Sequence, residues 1–204
     1  QELEALLQRE VRIANDANCF ALSEAVDGAG KGAHTVFGVI LGTGVGAGVV
    51  INGQSLNGLH AIAGEWGHNP LPWPEDDERP GRQCYCGKRG CIETWLSGPG
   101  IAANFGDGTT ATIEIVKRAE AGDAVAEAYI QRVEDRLARA LATAINILDP
   151  DVIVLGGGVS NIARLYGNVP KLLPKYVFSE FVETRIAQNI HGDSSGVRGA
   201  AWLW

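Results

Sequence analysis

The sequence predicts an α/β fold with some antiparallel pairing, on three observations. Two apolar, β-branched runs, "TVFGVIL" and "DVIVL", have the length of buried strands and each ends in a glycine turn. Between residues 123 and 148, Val125, Tyr129, Val133, Leu137, Leu141, Ile145 and Leu148 recur mostly at i+4 spacing, the stripe of an amphipathic helix. Asn52-Gly53 divides "GAGVVI" from "QSL", and both residues tolerate the positive φ of a tight hairpin.

In chain order, residues 2–9 read as the end of a helix with Leu3, Leu6 and Leu7 on one face. "VRIA" reads as a short strand, residues 17–26 as a helix, and "DGAGKGAH" as a glycine-rich turn. The apolar stretch 36–51 holds too many glycines and β-branched residues for a membrane span and reads as a buried strand pair. Residues 69–83 carry four prolines and a cluster of charges, which predicts an irregular surface loop. Helices follow over 110–121 and 123–148, the second stopped by Pro150. After the strand "DVIVL" and the turn "GGG", a helix is expected over 161–173, and the closing "GVRGAAWLW" reads as a trimmed helix.

A chain of 204 residues buries a real core, as one large domain or one lobe of a bigger protein. Its net charge of −7, with no run of Lys or Arg, argues against nucleic acid and anionic membranes as partners. Backbone N–H groups still allow such a chain to take a phosphorylated ligand. The start, "QELEALLQRE", is amphipathic and acidic, unlike a signal peptide, and the chain has no Met, so it is expected to begin inside a longer protein. Three of the four cysteines, Cys84, Cys86 and Cys91, fall within eight residues. That spacing suits a metal better than disulfides and points to a reducing, cytoplasmic setting.

Four motifs carry chemistry. In "RIANDANC", Asp16 stands between Asn15 and Asn18, either as part of a helix cap or as a catalytic base. "LGTGVGAG" formally fits a dinucleotide fingerprint, but a strand follows it where a helix is needed. It reads instead as a strand–turn–strand whose bare backbone and Thr43 hydroxyl approach a phosphate. Gly156-Gly157-Gly158 leads into a helix, and two such turns at strand ends favour a nucleotide site over close packing alone. Cys84-x-Cys86-x4-Cys91, with His68 before it in "GEWGH", supplies three thiolates and an imidazole for a closed, structural zinc site. His34, His60 and His191 read as surface or satisfied core residues.

Together "NDAN", "GTGVGAG", "GEWGH", "CYCGKRGCIE", "LDPDVIVLGGGVSN" and "HGDSSGVRGAA" resemble, in order and spacing, the ROK family of sugar kinases, over essentially the whole chain. "GEWGHNPLPW", "AVDGAGKGAHTVF" and "HGDSSGVRGAAWLW" are most similar to its fructokinase/mannokinase branch, with the N-acetylglucosamine kinases next. The resemblance implies an actin-like (ribonuclease H-like) two-lobed fold with a zinc-bound loop in the C-terminal lobe. It implies phosphorylation of fructose to fructose 6-phosphate by ATP with Mg²⁺, and N-acetylglucosamine, glucose or mannose as alternative substrates. Asp16 would be the general base. Asn15, Asp16, Gly44, Glu65, His68 and Glu93 would bind the sugar, Gly42, Thr43 and Gly44 the phosphates, and Gly156 and Gly157 the adenosine. His68 would serve zinc through one nitrogen and sugar through the other, with Cys84, Cys86 and Cys91 completing the metal set.

The family's opening Asp-x-Gly-Gly-Thr-Lys turn has no counterpart here. Residues 1–16 are therefore expected to be a remnant of the N-terminal lobe and cleft edge. Residues 17–204 would form the C-terminal lobe, with the zinc loop at 68–91, and this chain alone would phosphorylate poorly. A homodimer is the family expectation. A sugar-sensing ROK repressor with an upstream helix-turn-helix is the alternative of another class.

Overall fold

A computed structural model describes residues 2–204, the side chain of Asp193 aside. The elements are α1 (Glu2–Leu7), α2 (Asp16–Val26), β1 (Thr35–Leu41), β2 (Val45–Ile51), β3 (Gln54–Ser55), α3 (Glu93–Leu96), α4 (Gly98–Ala103), α5 (Thr112–Glu120) and α6 (Ala124–Leu148). They continue with β4 (Val152–Gly156), α7 (Leu165–Leu172), β5 (Arg185–Gln188) and α8 (Ser195–Ala201).

The strands form one sheet in the order β3-β2-β1-β4-β5. β1 and β2 are an antiparallel hairpin with Leu41 opposite Val45, whereas β1, β4 and β5 run parallel. Both faces of β1 and β4 are covered, which is why these strands read as continuous apolar runs. Side chains of period two divide between the faces. Phe37, Val39, Leu41, Ile153 and Leu155 join the larger core under α6, while Val36, Val152 and Val154 join the smaller one under α2.

The α6 stripe is core from Tyr129 onward, and Val133, Leu137 and Leu141 are almost wholly buried. Val125, by contrast, is 69% exposed, because Ala126 and Ile130 face inward in the first turns. Asp123 caps the helix by accepting from the N–H groups of Val125 and Ala126.

Other expectations need correction. "VRIA" is not a strand: no partner strand lies beside it among the described residues, and Ile13 is 84% exposed. β propensity counts only where a neighbouring strand and a packed face exist. The helix expected over 161–173 starts only at Leu165, after a 3₁₀ turn Gly158–Asn161. Strand β5 goes unread in the sequence, since four residues on a half-exposed edge carry little periodicity. The loop over 69–83 is irregular as expected, yet not simply a surface feature. Leu71 is buried, and so is Glu78, which accepts from Arg136 at 2.7 Å and from Arg139 at 2.9 and 3.0 Å.

Helix α2 is tied to the end of the chain by a second buried acid. Glu24 accepts from the N–H groups of Ala29 (2.9 Å) and Ile190 (3.2 Å) and from the Ser195 hydroxyl (2.9 Å). The last turn of α2 is thereby fastened to the C-terminal segment.

Candidate functional site

The site forms where the parallel strands end, the usual crevice of open α/β sheets. Ile40 pairs with Gly156 across β1 and β4, so both glycine turns meet at one edge. They touch there: a Cβ on Gly157 would lie 2.6 Å from the Leu41 carbonyl oxygen and 2.9 Å from Gly42 N. Gly157 also has φ +80°, and a Cβ on Gly156 would strike the Phe20 ring at 2.5 Å. Packing alone thus requires both residues. Gly42 is different, with only an Ile40 methyl at 3.9 Å, and Thr43 beside it is exposed.

Two more close approaches set "GEWGH" against β2. A Cβ on Gly64 would meet the Ala47 carbonyl oxygen at 2.2 Å, and one on Gly67 the Val45 carbonyl oxygen at 2.0 Å. Trp66 between them is buried and donates from Nε1 to the Ala140 carbonyl at 3.1 Å. With the glycines and Trp66 turned inward, Glu65 and His68 face the start of α2.

Asn15 is the cap of α2, accepting from Ala17 N at 2.8 Å. Asp16 is the helix's first residue and is exposed, so capping and a chemical role coexist in this dipeptide. Asn15, Asp16, Glu65 and His68 converge on one cavity of about 200 Å³, with Tyr85 as a further wall. Glu93 does not line it. It lines an adjacent cavity of about 240 Å³ with Thr43 and Tyr85, and its Oε2 accepts from Val45 N at 2.9 Å. Gly44 lies against that carboxylate, 2.7 Å from where its Cβ would stand.

His68 Nδ1 is 3.6 Å from the Cys84 sulfur, Cys86 and Cys91 sulfurs are 3.6 Å apart, and all four donor atoms lie within 4.8 Å of one another. A tetrahedral zinc with Zn–S bonds of about 2.3 Å needs edges of about 3.8 Å, and the cluster fits. Burial, and then hydrogen bonds with Cys86 and Cys84, push the Cys91 thiol up to about 12. A bound divalent cation reverses such a shift by holding the thiolate. The other imidazole nitrogen, Nε2, faces the Asp16 cavity: it lies 2.9 Å from the Tyr85 hydroxyl and 4.0 Å from Glu65 Oε2. Tyr85 is the residue that sequence reasoning missed, because an aromatic between two cysteines carries no spacing signal.

Comparison with known proteins follows the same lines. The ROK family profile matches residues 1–204. The chain is 45% identical over 210 residues to an N-acetyl-D-glucosamine kinase of Aliivibrio salmonicida, covering all of this chain and 70% of that protein. Among solved structures, a ROK hexokinase from Thermus thermophilus superposes with TM-score 0.86 at 30% identity, over 98% of this chain and 66% of that one. A ROK family glucokinase from Streptomyces griseus, solved with glucose and AMPPNP, gives 0.81 at 27% identity, over 99% and 70%. These structures share the mixed α/β architecture described above.

Proposed function

Because this chain belongs to the ROK family, we propose that it forms the sugar-binding and catalytic-base part of an ATP-dependent hexose kinase acting on N-acetyl-D-glucosamine. The motif resemblance puts fructose first, but the curated relative named above favours the alternative substrate. The observation that carries the reading is the convergence of Asn15, Asp16, Glu65 and His68 on one small cavity beside a glycine turn.

In this reading the Asp16 carboxylate takes the proton of the attacking sugar hydroxyl as that oxygen meets the γ-phosphate of ATP. Asn15, Glu65, His68 and Glu93 orient the hydroxyls, and the backbone of residues 42–44 faces the phosphates. Gly156 and Gly157 keep the adenosine side free of side chains. A magnesium ion brought with ATP would supply neutralisation of the phosphate charge. His68, Cys84, Cys86 and Cys91 would hold a zinc ion, which would fix the loop that carries them. Residues 1–16 then belong to the cleft edge and 17–204 to the C-terminal lobe of a cytoplasmic protein, and no described helix is long and apolar enough to cross a membrane. The homodimer stays part of the proposal, although the α6 stripe, being core, gives it no support.

The test is ADP release by the chain and by its full reading frame, with N-acetylglucosamine, glucose, mannose and fructose in parallel. Preference for N-acetylglucosamine, reduced about 10²–10⁴-fold by Asp16→Asn, is the expected outcome. Preference for fructose returns the first substrate. Sugar binding without ADP release from either form moves the reading to a sugar-sensing repressor.

A further inference from the structure

Tyr85 stands between the two cavities of the site. It lines the one that holds Asn15, Asp16, Glu65 and His68, and also the one that holds Thr43 and Glu93. Its hydroxyl is 2.9 Å from His68 Nε2, its ring meets the imidazole edge-on at 5.1 Å, and it is 83% exposed. Nδ1 of the same imidazole faces the cysteine cluster, 3.6 Å from the Cys84 sulfur, and Nε2 shares one hydrogen bond with the Tyr85 hydroxyl. The nearby carboxylate oxygen of Glu65, at 4.0 Å, is beyond hydrogen-bond reach.

We propose that Tyr85 is a movable partition. It holds the recognition nitrogen of His68 in the absence of ligand and swings aside when a sugar hydroxyl takes its place. The cavity of Asp16 then joins the cavity of Glu93. This inference rests on the sugar-kinase reading above and adds a specificity residue to it. The motion needs little: Tyr85 turns about two side-chain bonds, loses almost no burial, and gives up one hydrogen bond that the sugar replaces. Without it, Glu93 stays on the far side of a phenol ring from Asp16. A fixed Tyr85 that donates to the sugar predicts the opposite effect of deleting its hydroxyl.

The experiment is calorimetric titration with N-acetyl-D-glucosamine of the parent chain and of Tyr85→Phe, with the zinc content of both measured. Removing one competing hydrogen bond should tighten binding about fivefold, with zinc unchanged. Equal or weaker binding by the variant overturns the partition. A second measurement does not depend on the variant's zinc: fluorine NMR of the 3-fluorotyrosine-labelled parent. The Tyr85 resonance, identified by its loss in Tyr85→Phe, should move on adding sugar while those of Tyr129, Tyr166 and Tyr176 stay. A stationary Tyr85 resonance at saturating sugar also overturns it. If the parent binds no sugar at all, the kinase reading falls and takes the partition with it.

Discussion

The segment between Trp66 and Ile92 is anchored at two places by unlike chemistry. Near its middle, Glu78 is 3% exposed and locked to Arg136 and Arg139 of α6, themselves 2% and 3% exposed. Where its two ends meet, His68 from the start and Cys84, Cys86 and Cys91 from the end gather four donor atoms within 4.8 Å of one another. The first anchor is an ion-pair network made by residues of this chain, whereas the second is a set of metal-type donor atoms. The difference separates holding the segment on the body of the protein from shaping its tip. The tip is where Glu65, His68 and Tyr85 meet the cavity.

The largest expected effect comes from breaking the ion-pair anchor. Glu78→Gln leaves two buried guanidinium groups short of countercharge and should cost about 3–5 kcal/mol in a denaturant melt. The same anchor has an acid limit. Burial alone would raise the Glu78 carboxyl, but Arg139 and Arg136 outweigh it and hold it at about 2. Its folded pKa is depressed, so its contribution is fully present above the unfolded value of about 4.3. Stability should therefore fall as pH drops from about 4.5 toward 2, and Glu78→Gln should flatten that slope.

Chelation probes the other anchor. Removing metal should raise amide exchange over 84–91 and weaken sugar binding at least about tenfold, as for lost support of a metal-bound histidine. Exchange over α6 should stay slow. Rapid exchange in both regions would show that the two anchors are one unit. The smallest effect should follow Arg132→Ala. That side chain is 40% exposed and reaches Asp77 and Glu75 on the rim of the same network, so about 0–1 kcal/mol is expected.

The residues show why some of this was legible and some was not. β1, β2, β4, α2 and α6 follow from local pattern, and Asp16, Glu65 and His68 were found as motifs whose meeting in one cavity the fold supplies. Glu78 sits in "PEDDER", a charge run that reads as a solvated face. Its burial depends on two arginines on one face of a helix some sixty residues later. Gly156 and Gly157 look like ligand-binding glycines, yet their need for bare backbone is set by Phe20 and Leu41. Turns of similar composition thus hide different causes, since sequence shows where a side chain is missing and only packing shows what excludes it.

The contact between Glu24 and Ser195 spans 171 residues. On a ribosome adding roughly 5–20 residues per second, the helix that opens with Asp16 waits about 10–30 s for its last hydrogen-bond partners to be made. Until then a carboxylate destined for full burial has no Ile190 or Ser195 to receive. Docking of the last turn of α2 is therefore a late event in the life of each new molecule. Shortening the chain by its last dozen residues would leave Glu24 without the Ser195 hydroxyl, however well the central sheet had already formed.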